Sequence, residues 1–438
     1  MATAKGFKAT LLMDTETTFG TTPSPTAAKK LFFNTFGLGA SQNVIDPGTI
    51  QPVRSAPKPA RGNIDVSGAI AVPVDAIMFG YWLRALFEAP STADQRTSGN
   101  VVGGSVTASI TVFSSVTDGS MKVSLTSIAV SIFSISFATL TGMDSVAAQL
   151  QSVTRNIGSA GFQSCTVVWN STTVAFTLTS GKTGLSSTIQ AVTSCASGTD
   201  ITGTGYTNLR NGTLTQGLDI YQHTFTIPSV QRSFTIEKGF TDITQYLLYN
   251  GCKATTLALP LGGDGELVAT VNWIGKSETH NSVSFDAAST QPAFVRLENF
   301  QAGVYEAGAS CAIAVDGDIN YDSGLEGTYL VGTGGTRGDI TEGIATANGA
   351  LNALFQSGAL LTKAIEGTES SLQVIFYKTN QYSLSFYVDE LEYARKSPNV
   401  EGKAGIQIAL DWRAFYDDDA DASLFKVVLK NNVSSYAF

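Results

Sequence analysis

The chain holds two histidines, His223 and His280, and four cysteines, Cys165, Cys195, Cys252 and Cys311. A Ser–His relay needs a nucleophile one hydrogen bond from the imidazole, and a zinc site needs ligands at C-x-x-C or similar spacing. Neither pattern surrounds these residues, and the widely spaced cysteines read as buried thiols made in a reducing cytoplasm. Gly262-Gly-Asp-Gly265 and Gly332-Thr-Gly-Gly335 are Gly-rich but lack the spacing and the Lys-Ser/Thr of a phosphate loop, so they read as flexible turns. Asp417-Asp-Asp419 with Asp421 offers hard oxygen ligands to calcium. It lacks the Gly and the terminal Glu of the helix–loop–helix site, which leaves a solvated acidic turn. No catalytic, cofactor-binding or metal-binding residue is expected.

What remains is scaffold, and one stretch of it occurs twice. Leu267, Ala269, Val271 and Trp273 fall on alternate positions of residues 265–275; Ile406, Ile408, Leu410 and Trp412 do so in 404–415. Side chains alternate faces along a strand, so each copy predicts a half-buried strand ending in Trp. Other elements repeat in the same order. Arg61-Gly-Asn-Ile64 is matched by Arg337-Gly-Asp-Ile340, which reads as a turn before a strand and not as a cell-attachment triplet. The apolar stripe Ile77, Met78, Tyr81, Trp82, Ala85 and Leu86 predicts a helix over 75–88, started by Pro73-Val-Asp75. Residues 350–365 take its place in the second half. Ser233–Lys238 and Val374–Lys378 are matching strands ending in Lys. Four elements in one order predict a tandem duplication.

Residues 97–218 follow a different grammar, with sparse charge, Gly/Ser-rich ends, strands at 109–113 and 131–137, a helix at 143–157 and a hairpin at 166–178 turning at Asn170-Ser. They predict a domain inserted where both of its ends reach the surface. The expected fold class is mainly β with a few helices: two tandem β-sandwich or barrel domains, each with a flanking helix, plus a small inserted α+β domain. The boundaries are 1–96 for an N-terminal arm and the first part of domain 1, 97–218 for the insert, 219–282 for the rest of domain 1, and 283–438 for domain 2. Residues 1–30, rich in Thr and Pro after Phe7–Met13, predict an extended arm that orders against a neighbouring subunit.

At 438 residues the chain can bury two or three cores. Only 14% of residues are charged, 43% are apolar, and the net charge is −9. That sign excludes a protein that grips a phosphate backbone but suits one that lets DNA slide past. The apolar stretches 123–140 and 344–365 are broken by Ser, Thr, Gly or Asn, so no membrane span is expected. Met1-Ala-Thr-Ala-Lys-Gly-Phe-Lys8 has no apolar run followed by a cleavage site, and no signal peptide is expected.

Glu16-Thr-Thr-Phe-Gly-Thr-Thr-Pro23, followed by a strand, by Asp65-Val-Ser-Gly68 and by a Pro-Val-Asp helix start, resembles the opening of a family of tail tube (major tail) proteins of long-tailed bacteriophages. The resemblance covers most of 1–96 and 219–438. Within the insert, Asp118-Gly-Ser, Ser145-Val-Ala-Ala-Gln-Leu150 and Phe176–Gly184 resemble a module of other phage structural proteins. The resemblance implies packed β-sheets with a flanking helix, joined edge to edge into rings that stack into a hollow tube. DNA passes through the lumen without specific binding. Six tube domains per ring is the family pattern, so a doubled chain implies trimeric, pseudo-hexameric rings, with a hexameric ring of chains as the alternative. The implied partners are further copies of the chain and the tape measure, tip and terminator proteins of the tail. The implied location is the virion, after assembly in the host cytoplasm. It implies no active site and no cofactor. Asp264, Glu266, Glu401 and Asp411 are expected to face the lumen, and Glu16, Thr17, Phe19, Gly20 and Pro23 to belong to the inter-subunit arm. The insert is expected on the tube exterior.

Two other classes compete. A secreted or surface β-domain adhesin would carry a signal peptide and aromatic residues in exposed loops. A tail-associated β-rich glycosidase would need paired carboxylates that meet only in the fold.

Overall fold

The computed structural model describes residues 3–190, 192–400, 405–416 and 423–438. The chain is mainly β and divides into two compact units, 1–92 with 222–438, and 93–221.

In the first unit, the elements that matter here run in chain order as β1 (Ala9–Thr15), β2 (Gly39–Ile45), β3 (Ala60–Pro73) and α1 (Phe79–Phe87). After the second unit come β4 (Phe234–Phe240), β5 (Gln245–Leu261), β6 (Val268–Gly275), β7 (Ala302–Glu306) and β8 (Ala314–Asp322). They are followed by β9 (Leu325–Tyr329), β10 (Arg337–Glu342), β11 (Thr346–Leu354), α2 (Ala359–Glu366), β12 (Ser370–Thr379), β13 (Tyr382–Tyr393), β14 (Gln407–Ala414) and β15 (Lys426–Asn431). All pairings among them are antiparallel.

Pairing reveals a repeat. In the first half β4 pairs β5, β5 pairs β6 and β6 pairs β3. In the second half β12 pairs β13, β13 pairs β14 and β14 pairs β11. The flanks match too: β1 lies on β4 as β7 lies on β12, and β2 lies on β3 as β8 lies on β11. The two halves are joined by β5 pairing β8. The Trp-ended strands are therefore equivalent, and Ala269, Val271 and Trp273 of β6, like Ile408, Leu410 and Trp412 of β14, point into one continuous apolar core.

Three local expectations are corrected. Residues 350–354 belong to strand β11, and helix α2 starts only at Ala359. Ala and Leu favour helix, but pairing with β8 on one side and β14 on the other overrides propensity here. The counterpart of β3 is thus β11, and Arg61 and Arg337 are not equivalent. Arg61 is exposed in β3, whereas Arg337 is buried and donates to the carbonyls of Val66 at 2.9 Å and Gly275 at 2.8 Å, with an ion pair to Asp65. It pins the β9–β10 hairpin to the middle of β3 and the end of β6. Finally, residues 9–15 are not a free arm: Leu11, Leu12 and Met13 are buried, and β1 pairs β4 along its whole length.

Helix α1 is shorter than the expected 75–88 and is buried on nearly every side. Its start is held by Asp75, whose carboxylate accepts backbone N–H groups from Ile77, Met78 and Phe79 at 2.7, 2.7 and 3.0 Å. These are the donors that a helix N-terminus leaves without intrahelical partners.

The second unit has its own core, built around Phe113, Phe137, Phe162 and Phe176. Helix Met143–Arg155 buries Val146 and Leu150, and the hairpin Thr166–Asn170/Ala175–Thr179 turns on the Asn170 carboxamide oxygen, which accepts from Thr172 and Thr173. The expected strand at 109–113 is instead a short helix, Ile110–Ser114. One turn suffices to place Phe113, its single buried residue, edge-on against Phe137 and Phe176.

Candidate functional site

Six strands of the first unit form a sheet in the order β3–β6–β5–β8–β11–β14, which runs through both repeats. Because side chains alternate, one face is the apolar core and the other must be a separate surface. Register fixes what that surface carries. One row across it reads Ala71, Thr270, Ala258, Asn320, Asn348, Arg413. The row on one side reads Ala69, Asn272, Thr256, Asp322, Thr346; on the other side, Asp318, Ala350 and Asp411 lie in line. Beyond these, Asp316, Asn352 and Ala409 continue the pattern.

The side chains are short, and they hydrogen-bond to one another. Asn272 donates to Thr256 Oγ1 at 2.6 Å, Asn320 donates to Asp318, and Asn352 donates to Asp316. Asp318 Oδ1 also accepts the Ala350 N–H at 2.6 Å. The carboxylates of Asp316, Asp318, Asp322 and Asp411 outnumber the guanidinium of Arg413. The surface is hydroxyl- and amide-rich and weakly acidic: four carboxylates stand against Arg413 in these rows, a balance that disfavours holding a polyanion.

The structure places the expected lumen residues unevenly. Asp411 stands on this face, 3.8 Å from the Lys396 ammonium. Asp264 and Glu266 lie in the β5–β6 turn; Glu266 pairs with Arg296 at 2.6 Å and accepts from Asn34. Glu401, like the acidic run Asp417–Asp419 with Asp421, lies outside the described residues. The residues missed are Asp316, Asp318, Asn320 and Asp322. Their signal was in plain view, since Asp/Asn recurs at every second position of Asp316-Gly-Asp-Ile-Asn-Tyr-Asp322.

The N-terminal motif is drawn inward. Glu16 is 3% exposed, and its carboxylate accepts from the Gly20 and Gly251 N–H groups at 2.7 and 2.8 Å and from Ser233 and Thr235 hydroxyls at 2.6 and 2.9 Å. Asn250 adds a long contact. Five donors compensate the burial of a charge that would otherwise be costly. Phe19 lies under the Lys276 ammonium, 5.3 Å from its ring centroid, and Gly20 takes the left-handed backbone that closes the turn. Thr17 is exposed and Pro23 half-buried.

Other ionisable groups in the interior hold loops. Asp14 accepts from Ala27 N–H, and Asp286 from Ala28 N–H. Glu237 accepts from the Ser284 hydroxyl and Phe285 N–H. Burial pushes Asp14 and Glu237 up from the usual carboxylate range. His223 bridges the Thr92 hydroxyl and the Val433 carbonyl, and burial lowers its pKa. The four cysteines are unpaired, no group of three metal-ligating side chains forms among the described residues, and no helix there is long and apolar enough to cross a membrane.

Comparison with known proteins agrees with this scaffold. The family model described as phage tail tube protein matches residues 6–414, which takes in the first repeat, the unit inserted within it and most of the second repeat. No curated protein matches the sequence. With nearly its whole length covered, the chain belongs to the phage tail tube protein family and is a structural component of the virion tail.

Proposed function

We propose that copies of this chain join edge to edge into rings, and that stacked rings form the hollow tail tube through which DNA is ejected into the host. The observation that carries this reading is the six-stranded sheet β3–β6–β5–β8–β11–β14, with its short, polar, net-acidic outer face. Within the chain β2 flanks β3 and β13 flanks the Trp412–Ala414 end of β14, which leaves the outer side of β2 and the start of β14 for pairing with another copy. Closed around an axis, the sheet's polar face lines the channel, where the carboxylates of Asp316, Asp318, Asp322 and Asp411 outnumber Arg413 and repel phosphates.

Each chain supplies two tube domains, one from 1–96 with 219–282 and one from 283–438, so three chains complete a pseudo-hexameric ring. The unit inserted in the first of them sits on the tube exterior, because a body of that size would block a channel of DNA width. The N-terminal segment around Glu16, Thr17, Phe19, Gly20 and Pro23 contributes to contacts between subunits through its exposed positions. Rings meet further tail proteins at the two ends of the tube, assembly takes place in the host cytoplasm, and the chain performs no catalysis. Electron microscopy of the purified protein tests the reading. Tubes with three chains per ring are expected; rings of six chains with one domain each in the wall, or monomers at every concentration, would overturn it.

A further inference from the structure

Strand β1 is covered unevenly. On one side β4 pairs all of Ala9–Thr15, but on the other side the short strand Lys29–Leu31 reaches only Leu11–Met13. Beyond it the chains splay apart, and a cleft of about 550 Å³ opens between residues 6–10 and 30–34. An open strand edge in a cleft is a place where an extended segment can add as a further strand. Two exposed aromatic rings flank it, Phe7 at 80% and Phe32 at 39% exposure.

Charge sets the identity of the guest. Among its lining residues are Lys8 and Lys30 but no carboxylate. The Lys5 and Lys8 ammonium groups lie 6.0 and 5.7 Å from the Phe7 ring centroid, which adds a third cation at the rim. Asp242 stands nearby, accepting the Lys5 backbone N–H. In a chain of net charge −9 this is an unusual concentration of lysine. The matching feature of the sequence is Asp417-Asp-Asp-Ala-Asp421, four carboxylates in five residues with no cation among them.

We propose that this cleft docks the Asp417–Asp421 segment of a second copy of the chain, as an inter-subunit latch. The cleft offers the open edge at Ala9–Thr10 to the segment's backbone and Lys8, Lys30 and Lys5 to its carboxylates, with Phe7 and Phe32 at the flanks. The proposal rests on the assembly reading above. A contact built on exposed charges is screened by salt, so it weakens as ionic strength rises.

Three charge variants test it in the full-length protein: Lys8→Glu with Lys30→Glu, Asp418→Lys with Asp419→Lys, and all four together. Each pair alone is expected to lower tube yield about tenfold, which corresponds to about 1.4 kcal/mol per contact, while the fourfold swap restores it. A control reversal at the exposed Glu366 and Glu369 leaves yield unchanged. Mixing a Lys30→Cys chain with an Asp419→Cys chain under oxidation gives a crosslink between molecules, absent when either variant is oxidised alone. Wild-type yield from the cleft or the Asp variants, failure of the swap to restore assembly, or loss of assembly in the Glu366/Glu369 control overturns the latch. Failure of the wild-type chain to form rings or tubes at all overturns the assembly reading instead.

Discussion

Trp412 of β14 lies opposite Gly349 of β11, and in the other repeat Trp273 of β6 lies opposite Gly68 of β3. In the second repeat the indole occupies room that a side chain on the facing glycine would take, whereas at Gly68 that room is filled by the Gly37 and Leu38 backbone. A Cβ on Gly349 would press into the Asp318 carbonyl and come within 2.7 Å of the Trp412 ring. The Trp–Gly pairing thus recurs at equivalent places in both repeats, and in each the glycine permits a close approach that a side chain would block.

Substituting Gly349 by Ala should be destabilising. The backbone carbonyl cannot rotate away, so β8 and β11 must separate, at a cost of about 1–3 kcal/mol or more. Gly142→Ala, where nothing lies within 4 Å of the new Cβ, serves as the control and should stay near wild type. Urea titrations of both variants check the contrast.

Asp75 makes the stability of α1 depend on pH. Burial outweighs the backbone hydrogen bonds its carboxylate accepts and pushes its pKa up to about 6 from an ordinary 3.8. The folded chain therefore holds this proton more tightly than the unfolded chain does. The stabilisation is complete below about pH 4 and is lost as pH rises through about 6. The difference of about two pH units corresponds to about 3 kcal/mol. Relative to Asp75→Asn, which does not titrate, the wild-type chain should lose about that much between pH 4 and pH 7, measured by denaturant unfolding at both values.

Arg337 should matter more than an exposed basic residue. Removing it in Arg337→Ala strips the buried Val66 and Gly275 carbonyls of their donor and releases the β9–β10 hairpin, at about 3 kcal/mol. Limited proteolysis should then cut near Leu330–Gly335 faster than in wild type. Arg61→Ala, an exposed change, should not alter the cutting pattern.

Because the 93–221 unit has a core of its own, replacing residues 97–218 with a short Gly/Ser linker should leave the rest folded. Circular dichroism and a thermal melt of the shortened chain check this, and micrographs of its assemblies should show a thinner tube.

On the polar sheet face, Asp411→Lys with Asp322→Lys changes the charge by four while touching only exposed positions. Assembled tubes of this variant should retain DNA at low salt and release it as salt rises, whereas wild-type tubes retain none. Co-sedimentation across a salt series measures the effect.

The strands with period-two apolar residues were legible from sequence because burial on one face leaves a mark that survives any tertiary context. Ala269, Val271 and Trp273, or Ile408, Leu410 and Trp412, could be nothing else. Residues 350–354 were not legible, since Ala and Leu are compatible with helix and only the partners on both sides decide for strand. The reach of Arg337 to residues near 66 and 275 is equally invisible in one dimension, so a likeness of spelling to Arg61 misled. The polar face was half legible. Asp411 was reached by its place beside a Trp, while Asp316, Asp318 and Asp322 were passed over because acidic alternation reads like an ordinary exposed strand until register lines it up with Asn348 and Asn352.

The pairing of β5 with β8 has a consequence for how assembly responds to concentration. These strands belong to one polypeptide, so their junction forms without any loss of translational freedom and cannot come apart on dilution. In an annulus made from such chains, every second joint between domains is permanent, and only the alternate joints are equilibria. The nucleus therefore needs fewer independent collisions than one made from single domains. Its two kinds of joint are also free to diverge in strength, one tuned by folding and the other by association.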